Sequence, residues 1–183
     1  MGDGELWLTE QQQGSWRHYL EGTARFVEAL GSVHDRTLDL SLGEYSLLVQ
    51  LSEAPERTVR MSTLADGLVL SRSRLTHTVA RMEARGLVVR RAAEGDRRGV
   101  NCTMTDAGYT ALAAAAPGHV GAVRRIMVDS LEPDEFAQLG RIMAKIAQAS
   151  KLAGGTEEGL SALCDEVDVQ LTQQDEQAAR RAG

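Results

Sequence analysis

Aromatic residues make up only 4% of the 183-residue chain. Alanine is plentiful, so helices should carry most of the fold. The two cysteines, Cys102 and Cys164, are too few for a disulfide framework or a zinc cage. They suit a reduced, cytoplasmic chain that uses neither metal nor cofactor. No run approaches the roughly 18 apolar residues of a membrane span. The opening MGDGELWLTEQQQGSW has no basic stretch ahead of an apolar core, so no secretory signal is expected. Nucleophile-elbow, phosphate-loop and metal-spaced motifs are also missing, which leaves no basis for an enzyme. Lysine occurs only at Lys145 and Lys151. That bias carries no argument for phosphate binding, since a GC-rich genome produces the same preference for arginine.

What the chain does have is a local concentration of positive charge. The whole molecule carries −6, yet the segment from Ser71 to Arg98 carries +5 and the remainder −11. Eight arginines lie in that segment: Arg72, Arg74, Arg81, Arg85, Arg90, Arg91, Arg97 and Arg98. A basic island on an acidic body is the electrostatic footprint of a nucleic-acid binder.

The surrounding pattern gives the island a shape. Residues 10–38 predict a long helix with Trp16, Tyr19, Leu20, Phe26, Val27, Leu30 and Val33 on one apolar stripe. No earlier element can cover that stripe, so it must meet something distant or a second subunit. Ser41 and Glu44 form a capping-box signature, with Leu40 and Tyr45 placed as a hydrophobic staple. They open a helix over 42–52 that buries Tyr45, Leu48 and Leu51. A short helix over 62–67 follows, then a turn at Val69 and Leu70. Ser71 caps a helix over 72–85, and Gly86 closes it as a left-handed cap.

In that helix Leu75, Val79 and Met82 fall within about 60° of one another and must face the core. The opposite side carries Ser73, His77, Ala80 and Arg81, flanked by Arg74 and Thr76. Strands over 87–91 and 100–104, joined by a turn at 93–98, form a hairpin with arginines at its tip. Thr105 caps a helix running to about 129, which Pro117 should kink or split. Pro133 opens another, with Leu131 stapled to Phe136 and a stripe of Leu139, Ile142, Met143 and Ile146. Gly154 and Gly155 mark a break before an amphipathic segment bearing Leu160, Leu163, Val167 and Leu171. The expected fold is therefore mainly α with a small β-wing: a winged helix-turn-helix.

Within it, Ser71, Arg72, Ser73, Arg74, Thr76, His77 and Arg81 are candidates for groove contact, and Arg60 and Ser62 for positioning the DNA backbone. Arginine reads guanine bidentately, and serine and threonine serve phosphates or either base type. Arg85, near the helix end, is expected to neutralise the dipole there. Arg90 and Arg91 alternate in a strand, so only one can face DNA. A winged helix used for protein or RNA contact is the alternative, but it would not need small polar residues at 71, 73 and 76.

Three ordered motifs resemble the MarR family of bacterial transcription regulators. These are Arg81-Met82-Glu83-Ala84-Arg85-Gly86-Leu87-Val88-Val89-Arg90, Asp96-Arg97-Arg98, and Met104-Thr105-Asp106-Ala107-Gly108. The resemblance spans about 12–149 and departs only at Met104, where leucine is usual. It implies N- and C-terminal dimerisation helices and a homodimer on a pseudo-palindromic double-stranded DNA operator. Trp16, Tyr19, Leu20, Phe26, Leu139, Ile142, Met143 and Ile146 would lie in the dimer interface. It further implies that Arg98 enters the minor groove, held by Asp96, with Arg97 on a phosphate or in the groove. The chain then divides into a dimerisation region over 1–40, a DNA-binding lobe over 41–108, dimerisation helices over 109–150 and an extra segment over 151–183. Thiol-based sensors in the family carry a cysteine in the first helix, and this chain has none there. A small-molecule effector is expected instead, with Trp16, His18, Arg25, His34 and Tyr45 in the relevant elements. Repression is expected over activation, because a compact dimer on a promoter blocks polymerase.

Overall fold

A computed structural model describes residues 7–68, 70–93 and 96–154, with the side chains of 97, 98 and 152–154 outside that description. The expected amphipathic segment beyond Gly155 and Cys164 lie outside the described residues. The order is α1 (Glu10–Thr37), α2 (Leu42–Glu53), a 3₁₀ turn (Pro55–Arg57), β1 (Thr58–Arg60), α3 (Met61–Gly67) and α4 (Arg72–Ala84). Then come β2 (Val88–Ala93), β3 (Asp96–Met104), α5 (Asp106–Ile126), a 3₁₀ turn (Val128–Ser130) and α6 (Pro133–Gly154).

The chain divides into two units, Ala24–Ser130 and a second made of Met1–Thr23 with Leu131–Gly183. In the first, α2 begins as its sequence dictates. The Ser41 hydroxyl accepts from the Glu44 N–H, and the Glu44 carboxylate accepts from the Ser41 N–H at 3.0 Å. The core gathers Leu40, Tyr45, Leu47, Leu48 and Leu51 with Leu64, Leu75, Val79, Met82, Val88, Cys102 and Met104. Burial pushes the Cys102 thiol up to about 11, with the Glu83 charge adding to the shift, so it packs as a small apolar group and is no thiolate.

The sheet has three antiparallel strands in the order β1-β3-β2. Strand β1 was not expected from a three-residue sequence signal. It exists because β3 offers it a free edge, with Val59 opposite Cys102 and the Thr58 and Thr103 hydroxyls bonded at 2.8 Å. The hairpin is also longer than its alternation suggested. Residues 96–98 belong to β3 and not to a turn, with a register irregularity between Ala92 and Ala93.

Helix α5 is not split at Pro117: it runs on through the proline and ends at Ile126, short of the expected 129. The proline removes one backbone donor, but the flanking turns stay packed, with Leu112, Ala115 and Ala122 buried. Its start depends on Thr105, which accepts from the Gly108 N–H at 3.0 Å and donates to the Gly86 carbonyl at 2.7 Å. A Cβ at Gly108 would overlap the Leu87 carbonyl oxygen, so the helix can approach the sheet this closely only with glycine there.

In the second unit, Trp16 and Tyr19 stack at 5.5 Å, while Trp16 and Leu20 are exposed at 50% and 46%. On α6, Phe136, Ile142, Met143 and Ile146 are exposed as well, and Leu139 is half-buried.

Candidate nucleic-acid interface

Helix α4 is built to present one polar face. The Ser71 hydroxyl accepts from the Arg74 N–H at 3.3 Å and starts the helix. Arg85 caps its end, and Gly86 follows at φ 71°, in the left-handed region that favours glycine. Leu75, Val79 and Met82 are fully inside the core, which leaves Ser71, Arg72, Ser73, Arg74, Thr76, His77 and Arg81 all exposed. The Thr76 hydroxyl donates back to the Arg72 carbonyl at 2.8 Å. It therefore offers solvent an acceptor and a methyl group.

A cleft of about 380 Å³ opens beside the helix. Arg60, Met61 and Ser62 line one side, Arg72, Leu75 and Thr76 the second, and Gly99 and Val100 of the wing the third. Four of the expected contacts, Arg60, Ser62, Arg72 and Thr76, thus share one concave surface, while Arg74, His77 and Arg81 lie outside its lining. Arg60, Asn101 and Arg91 occupy directly opposed positions on the three strands, so they form one row across a single face of the wing.

The arginines divide by partner. Arg60 is ion-paired with Asp96, so β1 is tied to the wing. Asp96 was expected to hold Arg98; the side chains of Arg98 and Arg97 lie outside the described residues, although their backbone is part of β3. Arg90 is engaged with Glu83 through Nε at 2.9 Å and Nη2 at 2.6 Å, and its N–H donates to the same carboxylate at 2.9 Å. These bonds hold the Glu83 carboxyl below the usual carboxylate range. Arg91 is the strand arginine left facing outward.

The expectation for Arg85 is corrected. Its side chain does not merely meet the dipole of its own helix. It donates to Glu44 at 3.2 Å and to the Asp39 carbonyl at 2.6 Å, fastening α4 to the link between α1 and α2.

Two of the residues in the elements expected to hold an effector, His34 and Tyr45, are core residues. His34 is fully buried, with Nδ1 at 2.8 Å from the Leu40 carbonyl and Nε2 at 2.9 Å from His119 Nδ1. Tyr45 is buried and stacks on the His119 ring at 4.1 Å. Both Tyr45 and His119 border a second cleft, of about 460 Å³, with Ser46, Val49, Gln50 and Leu68. Sequence reasoning missed His119 because nothing local links it to a residue 85 positions earlier. It also missed Arg57, whose guanidinium lies 4.2 Å over the Tyr109 ring and 3.1 Å from Asp106.

Among the described residues no cluster of three metal-ligating side chains comes together, and no helix is long and apolar enough to cross a membrane.

Comparison with known proteins agrees with this geometry. A family model described as MarR family matches residues 38–99. The transcriptional regulator PecS of Dickeya dadantii is 32% identical over 120 residues, which cover 59% of this chain and 72% of PecS. The structure of Sco3205, a MarR family transcriptional regulator from Streptomyces coelicolor in complex with DNA, superposes with a TM-score of 0.74 at 40% identity. That match covers 78% of this chain and 93% of Sco3205. AbsC, a MarR family regulator from the same organism, gives 0.74 at 35% identity over 80% of this chain and 99% of AbsC.

Proposed function

The chain belongs to the MarR family of transcriptional regulators, and from that premise we propose that it represses transcription as a homodimer on a pseudo-palindromic operator. That it is a DNA-binding regulator and not an enzyme follows from the family. The observation that carries the finer reading is the exposed face of α4, where seven polar residues stand clear of the core beside a basic wing.

On this reading Ser73, Arg74, His77 and Arg81 enter the major groove. Arg60, Ser62, Ser71, Arg72 and Thr76 hold the flanking backbone. Arg98, and Arg97 beside it, reach the minor groove or its phosphates, with Asp96 setting the wing's inner edge. A narrow, electronegative minor groove attracts arginine by shape more than by base identity.

Dimerisation is supported by the apolar side chains left uncovered at both ends of the chain. Val27 is 51% exposed and Ile142 45%, and such surface calls for a partner. Tyr19, Phe26 and Leu139 are half-buried beside them. Two α4 helices related by a dyad would meet half-sites about one helical turn apart. The division of the chain into 1–40, 41–108, 109–150 and 151–183 belongs to the same proposal. A small molecule that alters the spacing of the two helices would release the operator.

The test is to select an operator from random duplexes, then measure binding by mobility shift over a salt series and mass by sedimentation. The expected result is a dyad-symmetric site bound by two chains. Contacts to about six to ten phosphates should lower affinity by several decades between low and moderate salt. Binding without sequence preference, or by a single chain, overturns the proposal.

A further inference from the structure

Two consecutive carbonyls of the link between α1 and α2 are gripped by different side chains. Arg85, at the end of α4, donates to the Asp39 carbonyl at 2.6 Å, and His34 of α1 meets the Leu40 carbonyl at 2.8 Å. A carbonyl can only accept, so His34 carries its proton on Nδ1. In the neutral ring Nε2 is then a bare acceptor, and His119 must donate its Nδ1–H across the 2.9 Å separation. A hydrogen-bonded path therefore runs from α5 through His119, His34 and Leu40 to Asp39, Arg85 and the recognition helix.

The pair has limited room for protons. One more can sit on His119 Nε2 and leave the ring-to-ring bond intact. A second would have to occupy His34 Nε2 and oppose the His119 Nδ1–H, leaving a fully buried cation whose Nε2–H faces another donor. Among the described residues the rings packed against the pair are each other and the Tyr45 phenol of α2, whose ring lies 5.2 Å from His34 and 4.1 Å from His119. Among the described residues no carboxylate makes an ion pair with either histidine; the Glu44 carboxylate of α2 is engaged by Arg85 and the Ser41 N–H.

We infer that His34 and His119 form a proton-operated latch, which holds the α1–α2 link and so the recognition helix while closed, and which acid opens to weaken operator binding. This rests on the operator binding proposed above. Burial, and then the neighbouring His34, lower the His119 pKa from its ordinary value of 6.5. Hence the closed form resists protons that an opened form accepts below about that pH. Each proton taken up only by the opened form favours opening by up to about tenfold per pH unit.

The experiment measures affinity for the selected operator by fluorescence anisotropy from pH 7.5 to 5.5 at constant ionic strength. The full chain is compared with His119→Asn, whose amide keeps a donor near the Nδ1 position and cannot ionise. The latch requires about a tenfold loss of affinity for the wild type and a flat or rising profile for the variant, with equal affinities at pH 7.5. Parallel profiles overturn it. Should the variant not fold, ¹⁵N imidazole NMR of the wild type decides without DNA. His34 held as the Nδ1–H tautomer, with one proton entering the native pair, supports the latch; two imidazoles charging independently in the folded protein overturn it. Failure of the wild type to bind any selected operator at pH 7.5 instead overturns the operator reading, and the NMR outcome still decides the latch.

Discussion

Glu83, on the recognition helix, and Arg90, on the first wing strand, are joined by three hydrogen bonds of 2.6 to 2.9 Å, one of them from the Arg90 main chain. They lie seven positions apart in sequence, with Gly86 reversing the chain between. The clamp fixes the angle at which the wing leaves the helix, and on the proposed interface it sets the register in which both would meet one duplex.

Glu83→Gln should therefore loosen the wing. The carboxyl is held below its ordinary value of 4.5 by the Arg90 side chain and main chain. Its contribution to stability is thus present above that pH and is lost as pH falls through the lower folded value. The melting temperature of the variant should lie below the wild type at pH 7, and the gap should close in strong acid. A gap independent of pH refutes the charge-assisted clamp.

Arg98→Ala should weaken operator binding by about 1–3 kcal/mol, the scale of a single specific contact, with the sedimentation mass unchanged. Mobility shift on the selected operator checks it. Undiminished affinity removes Arg98 from the interface.

Arg74→Ala should relax sequence preference at one base step per half-site and change the salt slope little, because a base contact releases few counterions. Repeating the selection with the variant reads this directly. A uniform loss across all duplexes would make Arg74 a phosphate contact.

Gly108→Ala should destabilise the chain by about 1–3 kcal/mol in denaturant unfolding. The added Cβ has backbone in its way, the Leu87 carbonyl, and not a flexible side-chain end. Wild-type stability in the variant would mean that α5 can retreat from the sheet at no cost.

The elements most legible in sequence were those whose causes lie within a few residues. Ser41 and Glu44 close their capping box across three positions, and Leu75, Val79 and Met82 turn inward on helical spacing. Thr105 and Gly108 were visible as a motif, yet only the approach of Leu87 shows why the motif ends in glycine. Strand β1 was illegible because three residues form a strand only when a neighbour offers an edge. Pro117 does not split α5, because local propensity yields to the packing of the turns around it.

By itself the sequence determined which face of α4 is polar and where α2, α4 and α5 begin, because capping and amphipathic spacing are short-range. It could not rank the arginines, since eight identical side chains carry no label for their partners. Tertiary structure separated two of them, Arg85 with Glu44 and the Asp39 carbonyl and Arg90 with Glu83, and paired Arg60, outside that segment, with Asp96. It also brought His34 and His119 together. Charge pairing and buried hydrogen bonding depend on distance in space, and only the folded chain sets that distance.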